Sequence, residues 1–151
     1  MSTIANNHST TIGYATQSAN ATTIGAVRNA TELMGRALLV TLFLLSGIGK
    51  ITAYSATAGY MASAGVPGAM LPLVIAAEIF GSVVIILGWQ TRLASVLLAV
   101  FTLMAGVLFH NNFGDQTQMI MFLKNISITG AFQLLAANGA GAWSLDARKS
   151  K

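Results

Sequence analysis

Four long apolar segments, separated by shorter polar stretches, dominate the hydrophobic pattern of this chain. They run from Leu33 to Ile51, from Ala69 to Trp89, from Leu93 to His110 and from Thr117 to Ala137. Each is close to the roughly 20 residues that an α-helix needs to cross the hydrocarbon of a bilayer. Because a spanning segment must satisfy its own backbone hydrogen bonds, we predict four helices. The pattern indicates an all-α fold, an integral membrane four-helix bundle.

The connections between these segments predict how the helices are arranged. The second and third segments are joined by "GWQTR" and the third and fourth by "NNFGDQ", so each pair forms antiparallel neighbours. The first and second are separated by the longer stretch "TAYSATAGYMASAGVPG". Tyr54, Tyr60 and Met61 indicate a short interfacial helix there, which Gly65 and Pro67 would end.

The two ends of the chain are polar. Residues 1–31 are rich in Ser, Thr and Asn, lack periodicity, and lack the basic start and apolar core of a signal peptide. We predict a disordered N-terminal tail over 1–31. The predicted membrane domain covers residues 32–139, and residues 140–151 form a short basic C-terminal tail.

Composition supports membrane residence and excludes several other classes. The chain is 54% hydrophobic and 8% charged, whereas soluble domains carry about 25% charged residues. The absence of cysteine excludes disulfides, thiol redox chemistry and Cys-ligated metals. We predict no metal site, because His8 and His110 are the only histidines. The net charge of +4 is scattered over segment ends, which argues against nucleic-acid binding.

Basic residues predict the orientation of the bundle. If the four helices alternate, one side of the membrane receives Arg28, Arg36, Arg92, Arg148, Lys149 and Lys151. Because cytoplasmic loops are enriched in Lys and Arg, we expect both termini in the cytoplasm, in a multi-pass protein of the bacterial inner membrane. Within this set, Arg36 and Arg92 are interpreted as snorkelling anchors at the membrane surface.

Five polar residues lie within or at the ends of the predicted spans: Lys50, Glu78, His110, Lys124 and Asn125. Antiparallel alternation puts all four ionisable groups in the half of the bilayer remote from the termini. Small residues, which mark close helix contacts in membranes, share their helix faces. They are Ser46 and Gly47, Gly81 and Ser82, Thr102 and Gly106, and Ser127, Gly130 and Ala131. We therefore predict a polar chamber inside the bundle that opens on that side.

The chemistry of the chamber follows from its charges. A buried carboxylate stays ionised only with a partner, and either Lys124 or Lys50 can pair with Glu78. Two lysines against one glutamate leave an excess positive charge, suited to an anion or a carbonyl oxygen. His110 can transfer a proton near neutral pH. The candidate ligand-binding residues are Lys50, Glu78, His110, Lys124 and Asn125; Glu78, His110 and Lys124 are the candidates for a catalytic role.

The chain resembles the DoxX family of small bacterial membrane proteins. The resemblance runs from Gly35 to about Phe132 and rests on "GRALLVTLFLLSGIGKI", "YMASAGVPG", "AAEIFGSVVIILGWQTRLAS" and "FHNNFGDQTQMIMFLKNISITGAF". It implies a four-helix membrane bundle whose recurrent polar positions are Lys50, Glu78, His110, Lys124 and Asn125. The family takes its name from a small subunit associated with a thiosulfate:quinone oxidoreductase, which implies a redox partner.

Three hypotheses of function follow. In the first, the protein is at most a subunit of an oxidoreductase complex, and a quinone head group or a small anion occupies the chamber beside a redox partner subunit. In the second, the protein is a non-catalytic scaffold or anchor in which the Lys–Glu pair only fixes helix packing. A small transporter ranks last, because no inverted repeat is evident. Self-association into a homo-oligomer is a further expectation for so small a membrane chain.

Overall fold

The computed structural model describes residues 2–149, with side chains described for residue 17 and for residues 20–149. Its elements are α1 (Ser2–Thr52), α2 (Tyr54–Ser63), a 3₁₀ turn (Gly68–Met70), α3 (Leu71–Leu87), α4 (Thr91–Phe109), α5 (Gln116–Asn138) and α6 (Leu145–Lys149). Within this described part, four helices are long and apolar enough to cross a membrane: Asn20–Thr52, Gly68–Leu87, Thr91–Phe109 and Gln116–Asn138. The predicted all-α bundle of four spans is therefore confirmed.

The short helix expected between the first two spans is α2. It ends at Ser63, and Gly65 adopts a positive φ of 79° that favours glycine. The amides of Gly65 and Val66 donate to the carbonyls of Ala62 and Met61 at 3.0 and 2.9 Å, which satisfies the end of the helix. Its position at the membrane interface stays a prediction.

The N-terminal region differs from the sequence-based expectation. Helix α1 begins at Ser2, so the backbone of residues 2–31 is helical where we expected a disordered tail. The chain has no proline before Pro67 to break the helix. Extending a helix that the membrane span has already nucleated also costs much less than starting one. These two effects outweigh the modest helix propensity of Ser, Thr and Asn.

The helices pack in two layers, α1 against α3 and α4 against α5, and the turn between α3 and α4 joins the layers. The core between them consists of Val40, Phe43, Ile85, Leu98, Ala99 and Phe132. Phe43 and Phe132 meet edge to face with ring centroids 5.4 Å apart, so α1 touches α5 at this level. We call the end of the bundle near α2 and His110 the loop side, and the opposite end the termini side.

Three of the small residues singled out in the sequence lie at close helix contacts. A Cβ at Gly47 would be 2.7 Å from Ile79 Cγ1, one at Gly81 would be 3.0 Å from Leu98 Cδ2, and one at Gly106 would be 2.9 Å from Asn125 Cβ. The prediction was wrong for α5, where Ser127 is exposed. A Cβ at Gly130 would meet no described residue within 4 Å.

Arg36 is not a snorkelling anchor. Its residue exposure is 2%, and its guanidinium donates to the carbonyls of Ile85 and Ile86 at 3.2 and 3.1 Å and of Trp143 at 2.6 Å. The last carbonyls of a helix lack intrahelical partners, so Arg36 caps α3. The sequence could not indicate this, because the third acceptor comes from 107 residues further along the chain.

The C-terminal segment packs against the termini side of the bundle. Asp146 accepts hydrogen bonds from the amides of Gln90 and Thr91, both at 2.8 Å, and so caps the start of α4 from outside that helix. Burial alone raises the pKa of Asp146, but the hydrogen bonds from Thr91 and Gln90 outweigh it and hold the pKa below its usual value. We call Arg36, Trp143 and Asp146, together with the α3–α4 turn, the clasp.

Candidate functional site

A cavity of about 580 Å³ lies between the two helix layers on the loop side, beneath α2. Its volume is within the roughly 300–1,000 Å³ of typical ligand pockets. All five predicted site residues line it: Lys50, Glu78, His110, Lys124 and Asn125. Most of the remaining wall is apolar, including Leu42, Leu73, Met104, Leu108 and Met121. The structure therefore brings the candidate residues together around one largely apolar space.

Lys50 is the partner of Glu78. Its Nζ lies 2.9 Å from both carboxylate oxygens and 2.5 Å from Ser46 Oγ. Ser46 Oγ in turn donates to Glu78 Oε1 at 3.3 Å. The side chains are 23% exposed for Lys50 and 7% for Glu78. Each ammonium proton has an acceptor in this triad, so the pair is neutral and satisfied within the chain.

Local packing explains why Lys50 takes this role. Ser46 and Lys50 are one turn apart on α1, and Gly47 between them lets α1 approach Glu78 on α3. One turn beyond Glu78, Ser82 donates to the Glu78 carbonyl at 2.6 Å and contacts the Val40 carbonyl at 3.4 Å. The Glu78 side chain therefore leaves α3 beside the close α1–α3 contact at Gly47.

Lys124 stands apart from that pair. It lies on the cavity wall contributed by α5, across from the α1–α3 layer. Among the described side chains, those of residue 17 and residues 20–149, Lys124 has no hydrogen-bond or ion-pair partner. Of the two pairings left open by the sequence, the Lys124–Glu78 pair does not form, because Lys50 occupies both carboxylate oxygens from the adjacent helix. Lys124 thus carries the uncompensated positive charge of the cavity.

His110 follows the end of α4 and reaches the start of α5. Its Nδ1 lies 2.8 Å from Gln118 Oε1, and because an amide oxygen only accepts, Nδ1 is the donor. In the neutral imidazole this leaves Nε2 with the lone pair. Gln118 was missed by sequence reasoning, since a glutamine in the first turn of a helix is an ordinary surface residue. Asp115 caps the same turn by accepting from Thr117 and Gln118 amides.

Asn125 has a mixed role. Its Nδ2 donates to the Met121 carbonyl at 2.9 Å, and its Cβ packs against Gly106 of α4. The side-chain carbonyl has no donor among the described residues. Asn125 therefore packs at the α4–α5 contact and also offers one acceptor on the cavity wall.

Two aromatic side chains close the cavity on the loop side. Tyr60 of α2 stacks on Phe109 of α4, with centroids 5.6 Å apart and planes inclined by 26°. Both rings also line the cavity. The sequence indicated Tyr60 only as an interfacial residue, and nothing in the pattern pointed to Phe109. The stacked pair ties α2 over the space that the polar residues share.

The fold and this cavity define a small helical-bundle membrane protein with a largely apolar cavity between its helix layers, into which a few polar side chains project. The DoxX family model matches residues 31–111, more than half of the chain, and the protein belongs to that family. The match includes Lys50, Glu78 and His110, while Lys124 and Asn125 follow it in the chain. The resemblance inferred from the sequence is confirmed.

Two relatives from Escherichia coli (strain K12) are similar over most of their length. The chain is 47% identical over 114 residues to "Inner membrane protein YqjF", covering 76% of this chain and 88% of that protein. It is 41% identical over 131 residues to "Inner membrane protein YphA", covering 82% and 94%. No solved structure matches the chain.

Proposed function

We propose that this protein is an inner-membrane binding protein whose loop-side cavity holds the polar head of an amphipathic molecule. Lys124 contacts an anionic or carbonyl oxygen of that head, and the apolar wall accommodates the attached chain. The observation that carries the proposal is the contrast between two lysines in one cavity. Lys50 is neutralised by Glu78 at 2.9 Å, whereas Lys124 has no partner in the described chain.

Electrostatics supports a ligand with an electron-rich head. Lys124 lines the cavity and is itself exposed, so its ammonium is free to take up a counter-charge or a hydrogen-bond acceptor that enters the cavity. A charge-assisted hydrogen bond contributes about 1.5–3 kcal/mol, or roughly 10- to 150-fold in affinity. Among the ionisable cavity residues, Glu78 is already committed to Lys50. The ligand therefore supplies the acceptor for Lys124.

A quinone head group fits these residues as one member of that ligand class. Its carbonyl oxygens are acceptors for Lys124, and bound there it would supply two-electron, two-proton redox chemistry. His110 Nε2, the lone-pair nitrogen of the ring, is the group suited to hold or release a proton. Glu78 is less suited than the sequence suggested, because Lys50 holds both of its oxygens. Electron transfer would need a redox partner subunit.

The experiment measures binding to the purified protein in nanodiscs. The probes are a short-chain ubiquinone, dodecanoate and, as the neutral reference, dodecanol. Lys124→Met should weaken quinone or dodecanoate binding by roughly 10- to 100-fold, and Lys124→Arg should retain most of it. Arg92→Met, at an exposed basic residue on the termini side, is the matched control. Unchanged affinity for both polar probes in Lys124→Met would refute the proposal.

A non-catalytic scaffold is the second candidate, and the closed Lys50–Glu78–Ser46 triad favours it. A pair that satisfies itself within the chain links α1 to α3 without needing a ligand. Under this function, lipid chains fill the cavity and none of the three probes distinguishes Lys124→Met from the wild type. Preference of the wild type for dodecanoate or quinone over dodecanol would exclude it.

A further inference from the structure

The face of α1 that points away from the bundle carries a continuous apolar stripe. Its large members are Ile24, Val27, Met34, Leu38, Leu45 and Ile48, all of them exposed. Thr31 and Thr41 complete the run, so that the positions alternate at intervals of three and four residues. This is the 3.5-residue repeat by which two helices pair along a common seam. We call these eight positions the α1 stripe.

The α1 stripe extends beyond the portion of α1 that lies level with the other membrane-spanning helices. The hydrogen bonds from Arg36 to the Ile85 and Ile86 carbonyls put residue 36 level with the end of α3. At 1.5 Å per residue, Ile24 lies about 18 Å further along the axis. Ile24 and Val27 are nevertheless 70% and 62% exposed. The 33 residues of Asn20–Thr52 are about 50 Å long, which exceeds a hydrocarbon core of about 30 Å. A core that is level with α3 therefore covers Leu38 to Ile48 and ends short of Ile24.

We propose that the α1 stripe pairs with the same stripe of a second copy of this chain, in a parallel dimer. A partner that covers the whole stripe must itself be a helix that crosses the membrane and continues beyond it, and α1 meets that requirement. Both copies share one membrane orientation, so a two-fold axis along the membrane normal makes the helices parallel and the contact self-complementary. The repeat aligns equivalent residues of the two helices.

The groups beside the stripe favour such pairing. Gly35 and Gly49 flank it fourteen residues apart, which is two heptads, and a Cβ at either would meet no described residue within 4 Å. Glycines on a helix surface let two helices approach closely in membranes. Thr31 and Thr41 donate to their own helix, to the Val27 and Ala37 carbonyls at 3.0 and 2.8 Å. They therefore bring no unpaired donor to the contact.

The charges near the α1 stripe and the stability of its projecting end also favour pairing of two α1 helices. Arg28, on the edge of the stripe, is paired with Glu32 at 3.6 Å, which reduces repulsion between two copies. The projecting part of α1 is largely exposed from residue 20 to residue 28, including the apolar Ile24 and Val27. Isolated helices of this kind are marginal in water and gain most of their stability from packing. A second α1 supplies that packing.

The cysteine-free chain allows a direct test by single-cysteine cross-linking in native membranes. Val27→Cys and Met34→Cys lie on the stripe, and Ala26→Cys, which is exposed a quarter turn away, is the matched control. A disulfide requires Cβ atoms about 3.5–4.5 Å apart. Copper–phenanthroline oxidation should therefore give several-fold more covalent dimer at residues 27 and 34 than at residue 26, seen on non-reducing gels.

Equal cross-linking at all three positions would indicate random collision and overturn the proposal, as would the absence of dimer at residues 27 and 34. These positions are on the exposed face of α1, so the cysteine variants leave the core intact. The amount of each variant recovered in the membrane verifies that it folds. The result is independent of the proposed ligand, because none of the eight stripe residues lines the cavity.

Discussion

Arg36 in the clasp and Lys124 in the cavity are both cations of the membrane bundle, but their surroundings differ. Arg36 is 2% exposed and donates to three backbone carbonyls of its own chain. Lys124 lines a cavity of about 580 Å³ and has no partner within the described residues. A cation surrounded by acceptors of its own chain holds the fold together, whereas one left without acceptors has capacity for a ligand.

The clasp and the cavity each also contain one buried or hydrogen-bonded carboxylate, and these two can be compared in the same way. Asp146 accepts from two backbone amides at the start of α4, and Glu78 accepts from Lys50 and Ser46. Both are satisfied by the chain, one outside the spans and one inside. In the clasp, the buried atoms Arg36 Nε and Thr91 Oγ1 have no hydrogen-bond partner among the described residues. Ordered water commonly satisfies buried atoms of this kind.

The largest expected effect is the loss of Arg36. Arg36→Met removes the guanidinium that donates to the Ile86 and Trp143 carbonyls and, beside the Gly88 amide, to the Ile85 carbonyl. We expect the free energy of unfolding to fall by about 3–5 kcal/mol. SDS-titration unfolding in mixed micelles measures this. The exposed Arg92→Met is the control and should change stability by less than about 0.5 kcal/mol. Equal losses in the two variants would contradict the capping role of Arg36.

The next effect concerns the ion pair of the cavity. Glu78→Gln leaves the partly buried Lys50 without a counter-charge, and we expect a loss of about 2 kcal/mol, reduced from the fully buried case by the 23% exposure of the lysine side chain. The double variant Lys50→Met/Glu78→Gln should recover more than half of that loss. The same unfolding assay gives the double-mutant cycle. Additive single effects would show that the two side chains do not interact.

The fold could be predicted from the sequence because hydrocarbon imposes simple rules. Four runs of apolar residues required four helices, and their short connections required antiparallel neighbours. The same alternation predicted that Glu78, His110 and Lys124 lie in the same half of the bilayer, and all three line one cavity. Position along the chain therefore predicted which polar residues line one cavity, since depth in a membrane follows from distance along the chain.

The lysine that pairs with Glu78 could not be predicted from the sequence, because the pairing depends on which helices pack together. Whether Glu78 met Lys50 or Lys124 was decided by the α1–α3 contact at Gly47, which the pattern along one segment does not specify. The clasp was missed for a similar reason. Asp146 caps α4 from 55 and 56 residues away, so no local motif links it to the helix that it caps.

Acid should lower the free energy of unfolding through Asp146 of the clasp, by less than the loss expected for Glu78→Gln. Asp146 has a pKa below its usual value of about 3.9. The folded state therefore binds a proton less readily than the unfolded state, and the contribution of Asp146 is present above that usual value. It is lost as the pH falls through the folded pKa. Asp146→Ala should cost about 1 kcal/mol at pH 7 and should flatten the decline in stability between pH 5 and pH 3. An unchanged acid profile in this variant would exclude Asp146 as a contributor.

The smallest expected change in stability is also the most informative. Lys124→Met removes a cation that has no partner in the described chain, so the free energy of unfolding should stay within about 0.5 kcal/mol of the wild type or rise slightly. The SDS-titration assay used for Arg36→Met measures it under the same conditions. Intact stability together with weakened binding of quinone or dodecanoate would separate a ligand cation from a structural one. A loss of stability comparable to that of Glu78→Gln would instead place Lys124 among the structural cations, since its removal would then break contacts within the chain.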